Sequence, residues 1–296
     1  MSDAPVQLPL YGCLTGIELP VDRLEVVPGI ILRRVFVDMF GASMLAFAPP
    51  PVRSSPHPAP WVAVRGGYTF ESRVEVGISD ISSLGGLSPT VVAWLVAAVL
   101  RLQIETPVRM AVLGGMPFEE MGKRRKEASP VAFEQAAQQI GAFRDHRVEA
   151  TRDDLRWLSE MLPAAARLYH DERFFRAISV YDQSQWSPTL EMGAVLVWTA
   201  LEALFDLGGE REKTKAISRA VSDYVGANRP DRDRAYQVAQ GLYAKRGRVV
   251  HVGRTMDPKD AIQSYQFAKV VFRRVLIDGV LPASACSKCD ASRIET

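Results

Sequence analysis

The chain holds 296 residues, 47% of them apolar, with 36 Lys and Arg against 34 Asp and Glu. That length and apolar content suit two globular domains rather than one small one, and a formal net charge of +2 excludes a polycation built to coat nucleic acid. The longest apolar run, Thr90 to Leu100, is too short for the roughly 20 residues that span a bilayer, and no basic-then-apolar signal opens the sequence, so a cytoplasmic protein with no membrane partner is expected.

Residues 1–115 are rich in Val, Ile, Gly and Pro. Runs such as Ile30 to Val37, Trp61 to Val64 and Thr69 to Val76 are β-branched and bounded by Pro/Gly clusters, which predicts strands. The proline-rich stretch Ala48 to Pro60 is read as a loop, because proline removes backbone donors and bars helix. Ser88-Pro89 then opens an apolar helix to about Gln103, with serine as N-cap and proline at the first helical position. Pro107 to Leu113 reads as a further strand. An α+β domain results.

Residues 116–150 read as a linker and connecting helix, with Gly114 to Pro130 as an exposed connection. Gly122-Lys123 does not make a phosphate loop, since the spacing from Gly115 is wrong and no Ser or Thr follows the lysine. The basic quartet Lys123-Arg124-Arg125-Lys126 reads as a solvated turn. From residue 151 the texture changes to long helical periods. Thr151-Arg152-Asp153-Asp154 caps a helix to about Tyr169, with acids in the first turn where the helix dipole favours them. Further helices are predicted over about 171–183, 188–207, 211–226, 231–251 and 258–279, ended by Gly and Pro signals at Gly208-Gly209, Gly226, Gly253 and Asp257-Pro258. Residues 151–281 therefore read as a helical bundle, and residues 282–296 as a polar tail.

The three cysteines, Cys13, Cys286 and Cys289, cannot form an even disulfide framework, which fits a reducing compartment. Cys286 and Cys289 have the spacing of half a zinc site, but no second ligand pair follows, so neither a metal nor a cofactor is expected.

Charge is unevenly spread. Between Glu210 and Arg274 fifteen Lys/Arg face seven Asp/Glu, an excess of eight that the rest of the chain offsets. Arg246 and His251 lie within this basic segment. An arginine offers a fixed cation for a phosphate and a histidine a titratable imidazole, the two groups that metal-independent RNA cleavage needs. Five residues put them about 140° apart on a regular helix, so a common target needs either a helix distorted or ending near Gly247 and Gly253, or a site shared by two subunits. Arg248 lies on the histidine's face as a second phosphate-binding candidate, and Tyr243 is placed to support Arg246 from one turn earlier. In the helix over 188–207, Glu202 sits at the margin of the apolar stripe Leu190, Ala194, Val197, Leu201 and Leu204, where a carboxylate needs a partner. Its two readings are a structural salt bridge within the bundle and a cleft-lining acid that orients Arg246 or His251.

The succession Trp198-Thr199-Ala200-Leu201-Glu202-Ala203-Leu204-Phe205, then Glu212 to Arg219, then Leu242-Tyr243 running into Arg246 and Val249-Val250-His251 resembles the HEPN superfamily, and within it the ApeA-like group. The resemblance covers residues 151–281, and the R-x4-6-H motif of that family falls on Arg246 and His251. It implies an all-α HEPN-like bundle behind an α+β N-terminal domain, a homodimer through the HEPN domain, and a metal-independent endoribonuclease with a toxin or anti-phage defence role. Catalysis would fall to Arg246, His251 and Glu202 and substrate binding to Arg248, Lys245 and Tyr243, with RNA, tRNA included, as partner. A phage component or protein trigger is expected at residues 1–115. The position after the motif arginine, often polar in the family, is Gly247, which favours an alternative: a non-catalytic HEPN module binding RNA, nucleotide or a partner protein.

Overall fold

A computed structural model describes residues 8–40, 44–46, 61–63, 69–106, 108–134, 148–208 and 212–285. The N-terminal half supplies β1 (Leu10–Thr15), β2 (Ile17–Glu18), β3 (Arg23–Val27), β4 (Ile30–Phe40), β5 (Met44–Ala46), β6 (Trp61–Ala63), β7 (Thr69–Ile78), helix α1 (Pro89–Arg101) and β8 (Arg109–Gly114). A short helix α2 (Phe118–Met121) and strands β9 (Val131–Ala132) and β10 (Val148–Glu149) follow. Six strands form one sheet in the order β3-β4-β7-β1-β8-β9, with every neighbouring pair antiparallel. The period-2 pattern of β7 explains its seat at the centre: Val74, Val76 and Ile78 point into the core and are almost wholly enclosed.

Helix α1 covers that face. Ser88 Oγ accepts from the Val91 amide at 3.3 Å and Pro89 occupies the first turn, as the sequence predicts. The helix is apolar around most of its circumference because it is wedged between the sheet and the helical half. On the opposite face Phe118 of α2 packs with Cys13, Ala111 and Val112. The stretch from Gly114 read as an exposed connection thus folds back: the Phe118 amide donates to Glu75 at 2.8 Å, Glu119 pairs with Arg33, and β9 extends the sheet. The quartet Lys123 to Lys126 is exposed, with Arg124 paired to Glu120 and Glu127. The Ala48–Pro60 loop, residues 135–147 of the expected connecting helix, and Cys286 and Cys289 lie outside the described residues.

The helical half consists of α3 (Arg152–Leu168), α4 (Glu172–Ser184), α5 (Leu190–Leu204), α6 (Lys213–Val225), α7 (Arg229–Val252) and α8 (Pro258–Asp278). These follow the predicted spans closely, because every start but that of α6 carries its own side-chain cap. Thr151 and Asp154 form a reciprocal capping box at α3, and Asp171, Thr189, Asn228 and Asp257 cap the later helices α4, α5, α7 and α8. The protein is therefore an antiparallel β-rich α+β region followed by a helical region. One apolar core runs from the sheet through α1 and α3 into α5, α7 and α8. Among the described residues no helix is long and apolar enough to cross a membrane.

Candidate functional site

Helix α7 carries most of the site candidates. Asn228 accepts from the Asp231 amide at its start, and Gly253 at φ 66° ends it in the left-handed conformation that glycine adopts without strain. Between these ends it is continuous: Gly247 does not interrupt it, and it runs through His251 to Val252. Of the two ways to bring Arg246 and His251 together, a distorted helix is therefore not the one this fold uses. On a regular helix the two are about 140° apart and about 7.5 Å apart along the axis.

Arg246 lies against the middle of α5. One guanidinium nitrogen is 3.2 Å from Glu202 Oε1 and 3.4 Å from Thr199 Oγ1, and the guanidinium sits 5.4 Å from the centre of the Tyr243 ring. Tyr243 is the support the sequence predicts, one turn before Arg246. It is also buried, and its hydroxyl donates to the same Glu202 oxygen at 2.8 Å. Burial, with the hydrogen bond to Glu202 added, pushes the Tyr243 phenol well above its ordinary range, so it remains a donor at physiological pH. Beneath it, Trp198 meets the Tyr243 ring edge-on at 5.4 Å and donates through its indole to Ser264 at 3.2 Å. Glu202, the acid at the stripe's margin, is thus gripped by a cation and a phenol, and its side chain is 19% exposed against 15% for Arg246. Arg246 Nε is buried with no hydrogen-bond partner.

The other candidates are scattered. Lys245 pairs with Asp260 of α8 at 2.6 Å. Arg248 and His251 are exposed, and neither side chain forms a hydrogen bond or ion pair with any described residue. Val250 is also exposed; the fully buried residues of α7 are Ala239, Leu242 and Tyr243 at its middle, and nearer its end Val249 packs against Ala194, Met256 and Ala261.

A cleft of about 360 Å³ opens beside this pairing. Thr199 and Glu202 line it from α5, Arg173 and Arg176 from α4, and Lys213 from the start of α6. Arg173 donates to the carbonyls of Leu204 at 3.0 Å and Pro282 at 2.6 Å, tying the segment after α8 to the end of α5. Thr199 is the residue here that sequence reasoning was nearest to finding, since it lies one turn before Glu202 on the same face. Arg173 and Lys213 come from other helices and carry no local signal. The lining is mixed in charge: Arg173, Arg176 and Lys213 stand with Glu172, Glu202 and Asp206, and Arg176 is paired to Glu172. No protein-family model, no curated protein and no solved structure matches this chain.

Proposed function

We propose that the helical half is a HEPN-type module that acts on RNA as a metal-independent endoribonuclease, with a homodimer completing the site. The observation that carries this reading is the state of Arg246. It is positioned firmly by Glu202, Thr199 and Tyr243 through one terminal nitrogen and the guanidinium face, while its other terminal nitrogen, Nη1, makes no hydrogen bond with any described residue. A guanidinium held this way has its orientation set in advance and retains capacity for a phosphoryl oxygen. The ribose 2′-hydroxyl would attack the adjacent phosphorus and displace the 5′-oxygen of the next nucleotide. His251, open to solvent, would take the 2′-hydroxyl proton or return one to the leaving oxygen, while Arg246 balances charge on the non-bridging oxygens. Because a continuous α7 separates the two side chains by about 140°, two copies of the helix facing each other are the arrangement that brings an arginine and a histidine to one phosphate. Such a protein would serve in defence or as a toxin, with the β-rich half receiving the trigger.

The second reading, a non-catalytic module that binds RNA, nucleotide or a partner protein, is favoured by the largely enclosed Arg246–Glu202 pair, which satisfies both charges without a ligand. Incubating purified protein with total RNA and with tRNA in EDTA separates the two. Nuclease action yields 2′,3′-cyclic phosphate ends from wild type and none from His251→Ala. Binding without cleavage by wild type supports the module, and strict dependence on added Mg²⁺ overturns the mechanism.

A further inference from the structure

A second cavity lies where the end of α1 meets α4, α5 and α8. It measures about 210 Å³ and is lined by Ile104, Tyr181, Leu190, Ile262 and Tyr265, with Gln185 and Lys269 among its polar groups. Its walls are mostly apolar; besides Gln185 and Lys269, Thr106, Gln266 and the exposed Glu105 also line it. Lys269 Nζ donates only to the carbonyls of Gln103 at 3.2 Å and Ile104 at 3.4 Å, and no carboxylate among the described residues lies within ion-pair distance of it. Burial holds its ammonium below the ordinary lysine range. Gln185 Nε2 is buried with no hydrogen-bond partner. Arg101, by contrast, touches the cavity with its charge already spent on Asp182 and Glu134.

We propose that this cavity binds a small carboxylate with an apolar body, its carboxylate accepting from Lys269 and Gln185 and its body lying against Ile104, Leu190, Ile262 and the two tyrosine rings. Three features converge on that chemistry. A buried amide donor without a partner is destabilising and is relieved by an acceptor. An ammonium whose hydrogen bonds go only to neutral carbonyls, with Glu105 and Asp154 acting on it from beyond ion-pair distance, gains from a ligand that brings a carboxylate into direct contact. The apolar walls exclude a bare inorganic anion as the best occupant, because they offer it no donors. The site's construction points the same way. Tyr265 reaches across to donate to the Ser184 carbonyl beside Gln185, and this is possible only because position 193 on α5 is glycine, where a Cβ would collide with the phenol oxygen. The cavity is thus framed by residues that also hold the sheet region to the bundle, so an occupant would stiffen that junction. The proposal does not rest on the RNA-directed reading and involves none of its residues.

The test is titration of the full-length protein by isothermal calorimetry and by amide chemical shifts, using hexanoate and phenylacetate as carboxylates and hexan-1-ol as the neutral counterpart. Hexanoate should saturate with a Kd on the order of 1 mM or tighter, and hexan-1-ol should bind at least about tenfold more weakly. Lys269→Met keeps the stem and removes the charge, and it should weaken hexanoate about tenfold or more while leaving hexan-1-ol unchanged. Gln185→Leu should weaken it less. Ile262→Trp, a rim substitution at an exposed position, should block every probe and serves if Lys269→Met does not fold. Absence of saturable carboxylate binding, equal binding of hexan-1-ol, or hexanoate binding that survives Ile262→Trp would each overturn the assignment.

Discussion

Arg101 and Arg246 are each held by carboxylates from distant parts of the chain, and the way they are held differs in kind. Arg101, at the end of α1, has a side chain with 0% exposure, between Asp182 and Glu134. Its Nε donates to the Val108 carbonyl at 2.5 Å, and Trp186 lies over its plane at 5.1 Å. Asp182 in turn accepts from the Trp94 indole at 3.0 Å, and Glu134 from the Met110 amide at 2.6 Å. Burial pushes the Glu134 carboxyl up even against the pull of Arg101, while the two acids together keep Arg101 firmly cationic despite its own burial. Arg246 has one ion pair, one long hydrogen bond, a ring contact with Tyr243 and an Nη1 that bonds no described residue. A guanidinium whose donors are consumed on every side is a structural tie between regions. One that is oriented but incompletely satisfied retains capacity for a ligand.

The largest break in that contrast should come from Arg101→Met. It leaves Asp182 and Glu134 buried without their cation, and urea denaturation should show a loss of about 3 to 5 kcal/mol. Arg246→Ala should cost less, about 1 to 2 kcal/mol, because Glu202 keeps the Tyr243 hydroxyl, and under the proposed nuclease function RNA cleavage should fall by roughly 100-fold or more. Arg246→Lys should also fail in cleavage if the planar fork grips the phosphate in two places. Should stability collapse in Arg246→Ala while the remaining folded protein cleaves normally, Arg246 belongs with Arg101 as a structural tie.

A network that is mostly local, with Gln103 and Lys269 adding to it from elsewhere in the chain, gives the scale for both. In the α3 cap, burial acts to raise the Asp154 carboxyl, but hydrogen bonds from the Thr151 hydroxyl and amide outweigh it and hold its pKa below the ordinary range. A lowered folded value means stability that is present above the unfolded carboxylate pKa and lost as pH falls through the folded one. Asp154→Asn should therefore cost about 1 kcal/mol at neutral pH, and the difference from wild type should shrink on acidification, as read from thermal melts across pH 7 to 2. A penalty independent of pH would show that the charge plays no part. The smallest stability effect should be that of His251→Ala. An exposed side chain with no partner among the described residues should shift stability by no more than about 0.5 kcal/mol, so lost cleavage in this variant would be a loss of chemistry alone.

Much of the fold is legible from residue order because its determinants are local. Ser88-Pro89, the Thr151/Asp154 box, Asp257-Pro258 and Gly253 act within one turn of chain, and a period of 2 or 3.6 reports which face is buried. β1 and β3 carry the same kind of pattern, yet Leu10–Thr15 and Arg23–Val27 were not among the predicted strands, since short segments take their pairing from distant neighbours. The stretch from Gly114 was hidden for a similar reason: Phe118 is a single apolar residue in a polar segment, and its place against Cys13 and Val112 follows from the far face of the sheet.

Residue chemistry and spacing sufficed to single out Arg246, His251 and Glu202, to place Tyr243 under the arginine, and to set 140° between the arginine and the histidine on any unbroken helix. Packing between elements settled the rest. Glu202 meets Tyr243 across 41 positions, Arg246 meets Thr199 across 47, and Arg101 meets Asp182 across 81. No local rule ranks one arginine above another as a partner for a given acid, because the energy of such a pair depends on how much water each charge loses and how many donors remain, and both quantities exist only once helices from separate parts of the chain have closed around it.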